Sequence, residues 1–194
     1  MRTNALLVAA AVWLAVATPS DTSAQSAREY TGRGAPQVTV PRTNDPITLD
    51  AALDEPAWSK AARLTGFWQY QPVDQREAAE PTEVRVLYSA QAIYFAIIAT
   101  SDSGSVRATL SKRDQISNDD RVTIYLDTFN DRRRAFFFGA NALGVQLDGV
   151  RTEGAASAGN MFGGSVDLNP DFRFETRGRL TPSGYVVEMR IPFK

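Results

Sequence analysis

Apolar and polar side chains alternate over most of the chain from Ile47 onward, which is the period of a β-strand. In the segment RVTIYLD, Val122, Ile124 and Leu126 share one face and the residues between them share the other. Similar patterns, separated by short turns, occur in EVRVLYS, AIYFAIIAT, RRAFFFGA, VQLDGV, FRFETRGRL and YVVEMRIPF. The chain is therefore predicted to form several strands, with a hairpin at Ser89-Ala90-Gln91.

The alternation also predicts which residues of the last strand are buried. Val187, Met189 and Ile191 are expected to face the core, with Glu188 and Arg190 facing solvent. Many short strands with little helix indicate an all-β fold, an antiparallel β-sandwich.

Two stretches depart from this pattern. DEPAWSKAA, residues 54–62, predicts a short helix capped by Asp54, with Pro56 in its first turn and Trp58 filling one end of the core. Gly154–Ser165 consists mostly of small residues without periodicity, which predicts a long mobile loop.

The N-terminus has the layout of a secretory signal peptide. Arg2 precedes a short apolar run, Pro19 ends the run, and small residues follow up to Ala24. The run is shorter than the ~20 residues of a spanning helix. We predict a signal peptide at 1–24, a flexible leader at 25–44 and one domain at 45–194.

The composition excludes several functions. Apolar residues make up 43% of the 194, enough for a core, and a net charge of −1 offers no basic field for nucleic acid. The chain has no cysteine and no histidine. Disulfides, thiolate zinc sites, serine–histidine triads and histidine-ligated haem are therefore impossible within it.

Four blocks carry a family resemblance: ITLDAALDEPAWSKA, PTEVRVLYSAQAIYFAI, KRDQISNDDRVTIYLDTFNDRRRAFFFGANALGVQLDG and NPDFRFETRGRLTPSGYVVEMRIPFK. Together they resemble the carbohydrate-binding-module family 9-like domains, which are DOMON-related sandwiches at the N-terminus of bacterial outer-membrane proteins. The resemblance implies a sandwich of jelly-roll type with a sugar-binding ancestry. It also implies a C-terminal barrel-like region absent from this chain, so that the chain is expected to be an N-terminal fragment. The family's Leu-Asp-Gly turn is Leu49-Asp50-Ala51 here.

The segment GFWQYQP suggests a sugar-binding surface. Trp68 and Tyr70 would share one strand face and the glutamines Gln69 and Gln71 the other. Aromatic rings stack on sugar faces, but large aromatics are also common core residues, so both interpretations stay open.

Three further residues are candidate ligand contacts. Arg113 can form bidentate hydrogen bonds with a hydroxyl or carboxylate of a ligand, or it can bind nearby acidic residues of the chain itself. Asn141 and Gln146 flank a turn at residues 142–144, where they would either stabilise the turn or bind ligand.

Three carboxylates are candidate calcium ligands. Asp119 and Asp120 precede the strand RVTIYL, and Asp127 follows it. Calcium takes six to eight oxygen ligands, and the resemblance implies structural calcium. The alternative is that Asp119 and Asp120 cap a turn and pair with Arg113, Arg132 or Arg133.

We therefore predict a non-catalytic module, exported to the cell envelope, that binds an oligo- or polysaccharide by aromatic stacking and hydrogen bonds. The alternatives are a structural domain of an outer-membrane barrel protein without a sugar site, and an accessory fragment of a glycoside hydrolase. No acid–base pair is singled out by the sequence, so the chain itself is expected not to be an enzyme.

Overall fold

The fold is known from a computed structural model, which describes residues 29–30, 37–69, 76–102, 104–154 and 165–194. One short helix, α1 (Pro56–Ser59), precedes most of the strands. The strands are β1 (Glu29–Tyr30), β2 (Ala62–Leu64), β3 (Trp68–Gln69), β4 (Arg76–Glu77), β5 (Thr82–Tyr88), β6 (Ala92–Thr100), β7 (Arg121–Leu126), β8 (Arg134–Asn141), β9 (Gln146–Thr152), β10 (Ser165–Asp167), β11 (Glu175–Thr181) and β12 (Gly184–Pro192).

The strands form two main layers. One is a six-stranded sheet in the order β1-β2-β5-β6-β12-β11, and the other is a four-stranded sheet in the order β10-β9-β8-β7. The strands β3 and β4 form a small hairpin of their own. Neighbours are antiparallel except β1 and β2. The prediction of an all-β sandwich with one short helix is confirmed, as is the β5–β6 hairpin.

The main core lies between the two layers. Alternate residues of β5, β6 and β12 face alternate residues of β7 and β8, as their period of two requires. Aromatic rings from the segment before β11 fill the middle, with Phe174 packed edge-on against Phe138 and Phe172 against Phe136. Val187, Met189 and Ile191 are buried here, as predicted.

The outer face of the six-stranded sheet is also covered. Helix α1 places Ala57 and Trp58 in a second cluster, against Leu87, Tyr94 and Ala96. Trp58 therefore covers the back of a sheet, and the prediction that it fills one end of the main core is wrong. The predicted cap is wrong too, because Glu55 occupies the N-cap position without a side-chain cap hydrogen bond.

Parts of the predicted leader, residues 25–44, pair with the six-stranded sheet. Glu29–Tyr30 forms β1 beside β2. The backbone N–H of Thr43 donates to the carbonyl of Tyr88 at 2.8 Å, and the N–H of Tyr88 donates to Pro41 at 3.1 Å. Residues 1–28, which include the predicted signal peptide, and most of the predicted Gly154–Ser165 loop lie outside the described residues.

The two layers meet at backbone distance near the turn between β8 and β9. Gly144 has φ +81°, and a Cβ atom there would lie 2.9 Å from the backbone nitrogen of Gly178 in β11. Thr176 Oγ1 donates to the carbonyl of Gly144 at 2.7 Å. Glycine is required here because the two backbones leave no room for a side chain. Among the described residues, no helix has the length and apolar character needed to cross a membrane.

Candidate functional site

Asn141 belongs to a buried hydrogen-bond network at the start of β7. Its amide nitrogen donates to Asp119 Oδ2 and to the carbonyl of Thr109, both at 2.8 Å. Its amide oxygen accepts from the backbone N–H groups of Leu143 and Val145. Asn141 has no exposed surface, and all four of its hydrogen-bonding positions are used. It therefore stabilises the turn, which was one of its two predicted roles.

Asp119 is the acceptor in the same network. Besides the amide of Asn141, it accepts from the backbone N–H and the hydroxyl of Thr109. These hydrogen bonds, above all the one from Asn141, lower the pKa of Asp119. The network ties the loop that enters β7 to the turn after β8.

Arg113 occupies a second network, between the layers. Its guanidinium donates to Asp148 through Nε at 2.7 Å and also through Nη2, to Gln146 Oε1 at 2.9 Å, and to the carbonyl of Phe172 at 2.7 Å. The ring of Phe174 lies 5.3 Å from the guanidinium carbon. Gln146 also donates to the carbonyl of Phe174. Arg113 and Gln146 are thus in contact with each other, and the groups that they bind belong to the protein itself.

Asp148 is the buried anion of this network. It has no exposed surface, and burial raises its pKa, although Arg113 and the N–H of Phe172 act against that shift. Asp114, Asp148 and Asp171 have carboxylate oxygens close enough to share a metal ion. The guanidinium of Arg113 already lies within 4.0 Å of all three carboxylates, so it supplies the positive charge there.

The three predicted calcium ligands do not meet. Asp119 and Asp120 lie just before β7 and Asp127 just after it, so the six residues of the strand separate them by roughly 20 Å. Asp120 accepts from the N–H of Arg107 at 2.7 Å. Asp127 accepts from backbone N–H groups of its own turn, chiefly that of Arg132, which lower its pKa. Asp119 and Asp120 are therefore too far from Asp127 for all three to bind one ion, and Asp127 caps its own turn. Calcium binding itself stays a prediction.

Glu188 is a buried site that the sequence did not reveal. It was predicted to face solvent, and it does lie on the outer face of β12, yet it has no exposed surface. Its carboxylate accepts from the N–H groups of Asp50 at 2.8 Å and Ala51 at 2.5 Å, and from the indole of Trp58 at 3.1 Å. Burial raises its pKa. Ala51 has φ 61°, so it keeps the left-handed conformation that glycine favours.

The hairpin of β3 and β4 presents the exposed aromatic residues of the GFWQYQP segment. Phe67 is 39% and Trp68 52% exposed. Tyr70 lies outside the described residues. A pocket of about 450 Å³ separates the hairpin from the outer face of the six-stranded sheet, and Phe67, Glu77 and Glu83 line it together with threonines 65, 82 and 100. The hydrogen bond from Arg63, followed by those from Arg85, lowers the pKa of Glu83.

The predicted ligand set is therefore divided among separate places. Trp68 lies exposed in the separate hairpin of β3 and β4, while Arg113 and Gln146 lie between the layers. Asn141 lies in the turn network. No sequence signal distinguished the inward from the outward polar residues, because each needed a partner far away along the chain.

The architecture defines a class: a two-layered β-sandwich with a small hairpin that carries exposed aromatic residues. The family model described as carbohydrate family 9 binding domain-like matches residues 49–194, and the chain belongs to that family. A search of curated proteins finds no match.

Solved structures show the same fold. A family 9 carbohydrate-binding module from Caldicellulosiruptor kristjanssonii in complex with cellotriose is similar with a TM-score of 0.52 and 17% identity, over 79% of this chain and 66% of that one. This chain thus spans just under two thirds of that module. A candidate carbohydrate-binding protein from Bacteroides uniformis ATCC 8492 is similar with a TM-score of 0.50 and 14% identity, over 79% of this chain and 71% of that one.

Proposed function

We propose that this chain is a non-catalytic carbohydrate-binding module, and that the hairpin of Phe67 and Trp68 forms its sugar-binding surface. The observation that carries the proposal is an indole 52% exposed, next in sequence to Phe67, which lines a pocket, in a member of this family. Tryptophan is usually well buried, and the exposed Trp68 has a second exposed aromatic residue, Phe67, beside it in sequence, which supports a role of this segment in binding.

The chemistry of the pocket suits a sugar. Phe67 offers an apolar wall, and the threonine hydroxyls at 65, 82 and 100 both donate and accept hydrogen bonds. Glu83 has a lowered pKa, so it is ionised at neutral pH and accepts from hydroxyl groups. The relative that was solved with cellotriose supports a glucan chain as the first ligand to test.

The carboxyl groups of the pocket support a binding role without catalysis. A glycosidase needs two carboxyl groups facing each other across a cleft, with one proton available for transfer. Glu77 and Glu83 line the pocket, but Glu83 accepts from Arg63 and Arg85, which lower its pKa, so it holds no proton for transfer at neutral pH. Reducing-sugar release from an oligosaccharide panel is expected to stay at background.

Calorimetric titration of the protein with cello-, xylo- and gluco-oligosaccharides tests the proposal. We expect binding of at least one series, and Trp68→Ala should weaken it about tenfold or more. Tyr125→Ala is the matched control, because Tyr125 is similarly exposed at 48% but lies on the four-stranded sheet. Absence of heat with every sugar at millimolar concentration would favour the alternative, a structural domain without a sugar site.

Fluorescence gives a second test of the same surface. In protein that lacks residues 1–24, and with them Trp13, the two tryptophans are Trp58, which is buried, and Trp68, which is exposed, so acrylamide should quench the emission of Trp68 preferentially. A bound oligosaccharide is expected to reduce this quenching in the wild type and to leave it unchanged in Trp68→Phe. Protection that persists in Trp68→Phe would place the sugar elsewhere.

Export to the cell envelope is part of the proposal and rests on the pattern of residues 1–24. Expression of the whole chain in a bacterium should give a periplasmic product that begins near Gln25, as read by mass spectrometry. A product that keeps residues 1–24 would contradict it. Attachment to an outer-membrane barrel region belongs to the same proposal, and cofractionation of the native protein with outer membranes tests it.

Calcium binding is the remaining proposal. Asp119, Asp120 and Asp127 do not bind one calcium ion together in it, because the strand β7 separates them. Titration of metal-free protein with calcium, followed by the unfolding temperature, tests it. A midpoint that rises with calcium concentration supports it, and an unchanged midpoint removes it.

A further inference from the structure

The strand β7 forms the edge of the four-stranded sheet. It pairs with β8 on one side, and within the part of the chain that the structure describes no strand pairs with its other side. The sequence RVTIYL contains neither proline nor glycine, the residues that commonly interrupt an edge. An edge of this kind is a template for pairing with another strand.

An apolar cleft opens beside the end of β7. It has a volume of about 610 Å³ and is lined by Leu126, Phe136, Phe138, Phe172 and Ile191. Exposed aromatic residues flank it, since Phe193 is 55% and Tyr125 48% exposed. The inner residues of β7 are only half-buried, so apolar surface continues from the cleft along the strand edge.

The order of side chains along β7 is complementary to itself when reversed. In antiparallel pairing centred on Ile124, Arg121 of one copy lies opposite Asp127 of the other, and this pair occurs twice. Val122 lies opposite Leu126 on the inner face, and Thr123 lies opposite Tyr125 on the outer face. We propose that β7 pairs with β7 of a second copy of this chain, which joins two four-stranded sheets into one and extends each cleft with apolar residues of the partner.

Other registers lack this match. A shift by one residue sets inner residues of one copy opposite outer residues of the other, so the clefts are left uncovered. A shift by two sets Arg121 opposite Tyr125 and leaves the charges of both copies unpaired. Nη1 of Arg121 donates to the carbonyls of Ile116 and Ser117. A guanidinium has five N–H donors in all, so Arg121 can also donate to Asp127 of the second copy.

Sedimentation velocity over a wide dilution series of the whole chain tests the proposal. We expect a reversible monomer–dimer equilibrium. Arg121→Glu places two like-charge pairs across the axis and should weaken dimerisation about tenfold or more. Arg121→Lys keeps the charge and should dimerise nearly as well. Thr123→Lys puts lysines on the edge and gives a second disruptive variant, should Arg121→Glu not fold.

Hydrogen exchange distinguishes the remaining outcomes. Amides of β7 that face the open edge should exchange slowly in concentrated protein and quickly on dilution. A chain that stays monomeric at every concentration would overturn the proposal. So would β7 amides that are protected independently of concentration, because another part of the polypeptide would then cover the edge, and so would a dimer indifferent to Arg121→Glu and Thr123→Lys.

Discussion

Asp148 and Glu188 are both fully buried, and burial raises the pKa of each, yet their surroundings differ. Asp148 lies between the layers and is held by the charged guanidinium of Arg113. Glu188 lies on the outer face of β12 and is held by three neutral N–H donors, those of Asp50, Ala51 and Trp58.

The difference shows two ways of compensating a buried carboxylate. A cation offsets the charge itself, so loss of the cation leaves an unpaired ion in an apolar place. Neutral donors satisfy the oxygens without cancelling the charge, so an uncharged acceptor can replace the carboxylate at lower cost. Each site also joins distant segments: Arg113 with the residues before β11, and Glu188 with the loop before α1.

The largest effect is expected at the charged pair. Arg113→Ala should lower the free energy of unfolding by about 3–5 kcal/mol, because Asp148 stays buried without its cation. Urea unfolding measures it. Lys60→Ala is the control, since the pair of Lys60 with Asp45 is exposed, and its loss should cost less than about 1 kcal/mol. Adding Asp148→Asn to Arg113→Ala should recover part of the loss; a purely additive double mutant would refute the charge argument.

Removal of the Glu188 carboxylate, which neutral donors hold, should lower the free energy of unfolding somewhat less. Glu188→Ala deprives three buried donors of their acceptor, and we expect a loss of about 2–4 kcal/mol. Glu188→Gln keeps a carbonyl oxygen and should lose about half as much or less. Equal losses from the alanine and glutamine variants in urea unfolding would mean that the charge of Glu188 is essential. That result would contradict the view that an uncharged acceptor can replace this carboxylate.

The pH dependence of stability separates the charge of Glu188 from its hydrogen bonds. Its folded-state pKa is raised above the ordinary 4.5, so the folded state holds this proton more tightly than the unfolded state does. The resulting stability is fully present below pH 4.5 and is lost as the pH rises through the folded-state pKa. The stability of the wild type should therefore fall relative to that of Glu188→Gln from pH 4.5 upward. Parallel curves would contradict the raised pKa. Asp119 and Asp127, whose pKa values are lowered, cancel because both proteins contain them.

The smallest effect is expected in the loop that Glu188 holds. Ala51→Gly relieves a positive φ, worth about 1 kcal/mol, but removes a buried methyl group worth about 0.8 kcal/mol. The net change in unfolding free energy should stay within about 0.5 kcal/mol. Ala57→Gly is the matched control, an equally buried alanine in α1, and should cost about 2 kcal/mol because no strain is relieved. Equal costs at the two positions would show that Ala51 is unstrained.

Most of the strands were predictable from the sequence because their burial has a period of two. RVTIYL and AIYFAIIAT appear as β7 and β6, with nearly the predicted bounds. The family blocks predicted the sandwich, and the family match bears this out.

The polar sites were not predictable, for a physical reason. Alternation shows that Glu188 lies on the face opposite Val187, but not that a loop more than 130 residues earlier covers that face. Asn141 and Asp119 likewise become partners only when the loop before β7 folds over the turn after β8. The pattern also placed Asp119 and Asp127 near one short strand without showing that the strand keeps them apart.

The contact between Gly144 and Gly178 lies at the opposite end of β8 from the 610 Å³ cleft. The touching main chains therefore fix the spacing of the two layers at this end, whereas aromatic side chains such as Phe136 and Phe172 lie between the layers at the other. A substituent larger than hydrogen at either glycine would overlap backbone atoms of the opposite layer, so it would act as a spacer that forces the two layers apart at this end.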